Sequence, residues 1–79
     1  MNYLDGENIK PASNSEAKGM IGISVVFLRS CDIDKSGRGY FFPRRGVIEG
    51  VSGQNIIING DYISLSDLME VVKDEQTNN

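Results

Sequence analysis

Histidine and tryptophan are absent from the sequence, and its only cysteine is Cys31. Each absence closes off some chemistry. Without histidine the chain lacks the commonest general base and the commonest metal ligand. With a single thiol as well, a zinc site, a Cys–His pair and a Ser–His relay are excluded within one chain. One cysteine also rules out an internal disulfide framework and fits a reducing compartment. No apolar run is long enough to span a bilayer and no apolar leader is visible, so a cytoplasmic protein with no membrane association is expected.

Excess positive charge is also lacking. The net charge is −3, which opposes non-specific nucleic-acid binding by the molecule as a whole. The distribution is uneven. Arg29, Lys35, Arg38, Arg44 and Arg45 face only Asp32 and Asp34 within residues 29–45, leaving +3 there and −6 over the rest.

Seventy-nine residues allow one domain. Residues 1–18 hold scattered apolar side chains with no sustained period and many Asn, Ser and charged residues, the composition of a disordered arm. Tyr3, Leu4 and Ile9 are its possible docking points. Residues 73–79 are polar and are expected to fray. The foldable part is then 19–72, a size that buries only about 60% of its chain surface and gains from dimerisation.

Five short strands are predicted. "GISVVFLRS" places Ile23, Val25 and Phe27 on one face and Val26 and Leu28 on the other, rich in β-branched residues. After a polar loop over 31–39, Pro43 marks a strand start, because it cannot donate to a ladder. A second strand runs over 44–51 and a third over 56–59. Asn59-Gly60 between apolar runs is the preferred type I′ hairpin connection, pairing 56–58 with 61–63. Ser64 and Asp67 resemble a capping box and predict a 3-10 or helical turn around 66–69, before a last strand at 70–72. Short strands with frequent turn signals and no long amphipathic helix argue for a small antiparallel barrel. Its expected core is Ile23, Val25, Phe27, one of Val47 and Ile48, Val51, Ile56, Ile58, Ile63, Leu65, Leu68 and Val71. Leu28, Val26 and Ile57 are apolar on the opposite face. They are expected in a protein interface or under the amino-terminal arm.

The loop "DIDKSG" opens like an EF-hand calcium loop. An EF-hand needs flanking helices and a bidentate glutamate at the twelfth loop position. Here a strand leads in and Pro43 stands at that position. Asp32, Ser36 and Gly37 read instead as turn builders, since all three residue types favour turn geometries. No metal or cofactor is expected, and no small-molecule substrate.

The order of "SVVFLR", a polar loop, "RRGVIEGV", "IIING" and "YISLSDLMEV" resembles an SH3-like barrel of the KOW type over residues 19–72. Arg44, Arg45, Gly46, Ile48 and Val51 carry the basic approach to a glycine and the alternation after it. Ser66, Asp67 and Leu68 carry the 3-10 turn before the last strand. The resemblance implies binding rather than catalysis: RNA or ribosomal and transcription partners for KOW domains, Pro-rich peptides for SH3 domains proper. The chain lacks the "ALYDY"-like opening and the tryptophan of the latter. A plasmid-borne dihydrofolate reductase built from such barrels has a "Val-Gln-Ile-Tyr" strand where this chain has "DYISL", so reductase activity is not implied. Barrels of this size also occur as accessory proteins of phage and mobile elements.

Tyr40, Phe41 and Phe42 lie between Arg38 and Arg44–Arg45. Basic and aromatic interleaving suits single-stranded nucleic acid, where bases stack on rings and arginines meet phosphates. It equally suits a protein contact, or an edge strand whose charges are simply solvated. Asp34 with Glu49 or Asp67 is the nearest approach to a carboxylate pair, and no spacing supports it. The sequence therefore predicts an all-β chain, a small five-stranded antiparallel SH3-like barrel with one 3-10 turn and disordered termini. It predicts a non-enzymatic protein-binding or self-associating module. The alternative is RNA or single-stranded DNA binding. The contact residues are Arg29, Arg38, Tyr40, Arg44 and Arg45. In the nucleic-acid alternative the arginines govern binding; in the protein alternative apolar residues such as Leu28 or Ile57 do.

Overall fold

In a computed structural model, residues 3–34 and 36–74 are described. Five antiparallel strands make one sheet: β1 (Ser24–Arg29), β2 (Arg44–Ser52), β3 (Asn55–Ile58), β4 (Asp61–Ser64) and β5 (Leu68–Lys73). Their order is β4-β3-β2-β1-β5. A 3-10 turn, Leu65–Asp67, connects β4 to β5, and its Ser66 N–H donates to the Ser64 side chain. Among the described pairings β4 and β5 do not pair, so they are the two edge strands of an open sheet.

The β3–β4 hairpin follows from Asn59-Gly60. Both residues have positive φ, 52° and 82°, as a type I′ turn requires. The pairing Ile56↔Ile63 and Ile58↔Asp61 is the register that this turn sets. In β2 strict alternation cannot bring both Ile48 and Val51 to one side. A bulge at Glu49, where the register with β3 slips between Ile48 and Gly50, resolves this. Ile48 is then fully buried and Val51 packs beside it, while Val47 is exposed. The bulged Glu49 side chain accepts from the Gly60 N–H at 2.9 Å, tying the bend in β2 to the hairpin turn.

One cluster forms the core: Val25, Phe27, Ile48, Ile56, Ile58, Ile63, Leu65, Leu68 and Val71, with Ile23 and Val51 at its margin. This is the face that alternation selects. Ala17 completes it from a source the sequence reading did not find.

That source is the segment expected to be disordered. From residue 3 to residue 18 it lies against the sheet. A short helix, α1 (Asn14–Lys18), starts at Ser13, whose hydroxyl accepts from the Glu16 N–H, while the Glu16 carboxylate accepts from the Ala12 N–H at 3.0 Å. Ser-x-x-Glu is a capping-box spacing. One turn of helix is marginal alone; here it is held by burying Ala17 and by the Asn14 amide donating to the Gly53 carbonyl. Before it, residues 3–11 form a strap along β5. Leu4 packs with Leu28 and Val72 in a second apolar cluster, with Tyr3, Val26 and Phe41 around it. The apolar face of β1 opposite the core is thereby covered by the chain's own arm. At the other end, Lys73 belongs to β5 and the Asp74 N–H donates to the Ser24 carbonyl. The rest of the tail expected to fray, residues 75–79, lies outside the described residues, as does Lys35. Among the described residues, no helix is long and apolar enough to cross a membrane.

Candidate functional site

Residues 30–43 leave β1 and return to β2 as a narrow excursion. A 3-10 turn, Ser30–Asp32, opens it. Its stem is stitched by main-chain bonds: the Phe42 N–H donates to the Asp32 carbonyl at 2.8 Å and the Asp34 N–H to the Tyr40 carbonyl at 2.9 Å, either side of an Ile33–Phe41 bridge. At the tip the Asp34 carboxylate accepts from the Ser36 N–H and hydroxyl, at 3.0 and 2.7 Å. These Ser36 bonds hold the Asp34 carboxyl below its ordinary value. Gly37 and Gly39 take φ of 87° and 78°, which favours glycine. Serine and glycine thus build the turns that the sequence assigned to them. Asp34, rather than Asp32, is the aspartate that joins them.

Asp32 has another role. Its side chain is only 4% exposed. It accepts from the Arg29 N–H at 3.1 Å and from Arg29 Nε at 3.3 Å, and Arg44 Nε lies 3.0 and 3.1 Å from its two oxygens. Burial pushes the Asp32 carboxyl up, but the Arg29 amide, both guanidinium groups and the Arg29 charge outweigh it and hold the carboxyl below its ordinary value. The same hydrogen bond, working against burial, raises the Arg29 guanidinium. Asp32 therefore joins the end of β1, the base of the loop and the start of β2. The Arg29–Asp32 spacing of three was the available sequence signal.

The five expected contact residues are thus divided. Arg29 and Arg44 are brought together on Asp32, and their charge faces an internal carboxylate. Arg38 is exposed on the loop and Tyr40 on its stem. Arg45 is exposed one position along from Arg44, its main chain opposite Val26. The aromatic run divides by alternation. Phe41 turns inward, edge-on to Tyr3 with ring centroids 5.3 Å apart. Tyr40 and Phe42 turn outward, 58% and 65% exposed. Phe42, absent from the expected set, is the most exposed aromatic of this segment. Leu28 is fully buried and has no exposed surface to offer a partner.

The carboxylates weighed as a catalytic pair are engaged apart: Asp34 with Ser36, Glu49 with the Gly60 amide, Asp67 with the Ser30 hydroxyl. A hollow of about 460 Å³ lies between the strap and the second 3-10 turn, lined by Lys10, Pro11, Ala12, Gln54, Leu65 and Ser66. Lys10 is the only ionisable group in that lining. Cys31 is exposed, its sulfur 3.8 Å from Asp32 Oδ1. Comparison of the chain with protein-family models, with curated proteins and with solved structures finds no match.

Proposed function

We propose that this chain is a non-enzymatic binding module that contacts a protein partner through residues 36–45. Tyr40 and Phe42 are its anchors and Arg38 and Arg45 its polar rim. One observation carries the reading: two neighbouring aromatic side chains stand in solvent on a stem fixed by main-chain bonds and by the buried Asp32 carboxylate. Large rigid aromatics and arginine are the residue types that carry binding energy at protein interfaces. A fixed stem lowers the ordering cost of binding. The electrostatics favour a protein over a polyanion. Two of the arginines spend their charge on Asp32, and the chain as a whole is acidic. The SH3-like and KOW-like rhythm, and the kinship in size with accessory proteins of mobile elements, agree with a binding role.

The test uses a random peptide library displayed on phage, panned on immobilised full-length protein. Enriched peptides should lose binding to Tyr40→Ala and Phe42→Ala proteins whose thermal unfolding is unchanged. Peptides indifferent to both substitutions would refute the assignment of this surface. A short mixed-sequence single-stranded DNA, titrated at low salt and followed by nitrogen–proton NMR, should leave residues 29–45 unmoved. Shifts there that vanish at high salt would transfer the function to nucleic acid.

A further inference from the structure

Glu70 is a carboxylate on an outward position of β5, yet it is only 4% exposed. Among the described residues no basic side chain pairs with it. Its two oxygens accept instead from successive main-chain N–H groups of the strap, Tyr3 at 2.7 Å and Leu4 at 2.9 Å. A buried carboxylate without a cation is costly unless it is hydrogen-bonded, and in the closed state the strap's N–H groups are what satisfy Glu70. A second anchor lies one residue along. The Val71 N–H donates to Asn8 Oδ1 at 3.1 Å, and the Ile9 N–H donates to the Val71 carbonyl at 2.7 Å. β1 pairs with the other side of β5, so these Val71 groups belong to the free sheet edge. Between the anchors, residues 5–8 are exposed, and a gap of about 60 Å³ lies under them beside Val72 and Lys73.

We infer that residues 3–9 are a hinged cover latched by Glu70, which opens without unfolding the sheet and uncovers a groove beside β5. The strap itself is the occupant in the closed state. The groove holds the strap by four hydrogen bonds, three to its main-chain N–H groups (Tyr3 and Leu4 at Glu70, Ile9 at the Val71 carbonyl) and one to the Asn8 side chain. Its floor of Leu28, Val72 and Phe41 takes the Tyr3 and Leu4 side chains. Separate opening follows from where the contacts lie. Leu4 and Tyr3 belong to the second cluster, whereas Val25, Ile48, Ile56 and Ile58 belong to the central one; Ile9, at the hinge end of the cover, packs against the margin of the central cluster. Once the cover lifts, water replaces the strap around Glu70, which removes the penalty that opening would otherwise carry.

Amide hydrogen exchange of the full chain tests this. In the native protein the Tyr3, Leu4 and Ile9 amides should exchange at least about tenfold faster than those of Ile48 and Ile58, because local opening needs less free energy than global unfolding. Glu70→Ala should speed Tyr3, Leu4 and Ile9 by about tenfold or more, the loss of bonds to a charged acceptor, with Ile48 and Ile58 unchanged. Glu70→Gln keeps one acceptor oxygen and should fall between. It also serves if the alanine variant does not fold. Equal acceleration of strap and core amides, or no acceleration at the strap in the glutamine variant, would overturn the inference.

Discussion

Replacing Asp32 by asparagine keeps its shape and removes its charge. The native carboxylate receives one main-chain N–H and two guanidinium Nε groups. These are not equal. The Arg29 N–H bond is local and fixed by the 3-10 turn, and bonds to charged groups contribute about 1.5–3 kcal/mol. The Arg44 side chain is 51% exposed, so its pairing is screened and belongs near the surface range of about 0–1 kcal/mol. Arg29, 24% exposed and with the longest contact at 3.3 Å, lies between. Asparagine can still accept the Arg29 N–H through its oxygen, but its amide nitrogen then faces a guanidinium donor. The arginines left behind reach water, so the 3–5 kcal/mol loss typical of an abandoned buried charge does not apply. The expected cost is about 2 kcal/mol for Asp32→Asn and about 3 kcal/mol for Asp32→Ala, which also loses the main-chain bond. For a domain of this size 2 kcal/mol lowers Tm by about 8–16 °C.

Urea unfolding of the full chain at neutral pH, with thermal melts alongside, measures this directly. Arg44→Ala alone should cost no more than about 1 kcal/mol, and in the Asp32→Asn background it should cost almost nothing, since the partner has gone. An Asp32→Asn melt within about 2 °C of native would sink the view of Asp32 as the tie between β1, the loop and β2. So would Arg44→Ala costs that are equal in the two backgrounds.

The pH dependence has a definite sign. Asp32 is depressed below the 3.8 of a free carboxyl, so its stabilisation is complete above that value and is lost as pH falls through the lower folded-state value; native and Asp32→Asn stabilities should draw together in urea titrations as pH falls below 3.8. A Cβ on Gly46 would overlap Ile58 Cγ2 and lie 2.6 Å from Asn59 Nδ2, so Gly46→Ala should cost about 1–3 kcal/mol by crowding both the core and the hairpin turn, read from the urea midpoint. Ser13→Ala removes the cap of α1 and should cost about 1 kcal/mol, with faster exchange of the Glu16 amide. Tyr40→Ala and Phe42→Ala should leave the melting curve within about 0.5 kcal/mol of native, because both side chains are exposed.

Sheet and core were legible because they rest on period-two alternation and one decisive turn. Asn59-Gly60 set the β3–β4 register, and alternation named Val25, Phe27, Ile56 and Ile58. The choice between Val47 and Ile48 stayed open because a bulge breaks alternation, and no local signal announced Glu49 as the extra residue. The arm misled through its composition. Its order comes from hydrogen bonds to Glu70 and Val71, more than 60 positions away, which local composition does not reveal. Its one local signal, Ser13 to Glu16, is brief. At the candidate site, charge counting grouped basic residues among which the fold sets Arg29 and Arg44 apart, on Asp32. Asp32 was counted as an opposing charge in solution, whereas it is buried and holds Arg29 and Arg44.

That separation changes what the basic segment can do. A phosphate approaching Arg44 would have to compete with a carboxylate already 3.0 Å from Nε and fixed by a second arginine and an amide. Among the described basic residues of the segment, that leaves Arg38 and Arg45 uncommitted to Asp32, on a chain of net charge −3. The aromatic pair carries no such conflict. Tyr40 and Phe42 have no internal role to give up, and their stem is already ordered, so covering them removes apolar surface from water at little conformational cost. The surface whose energetics are unencumbered is therefore the aromatic one, which is the ground for proposing a protein partner there.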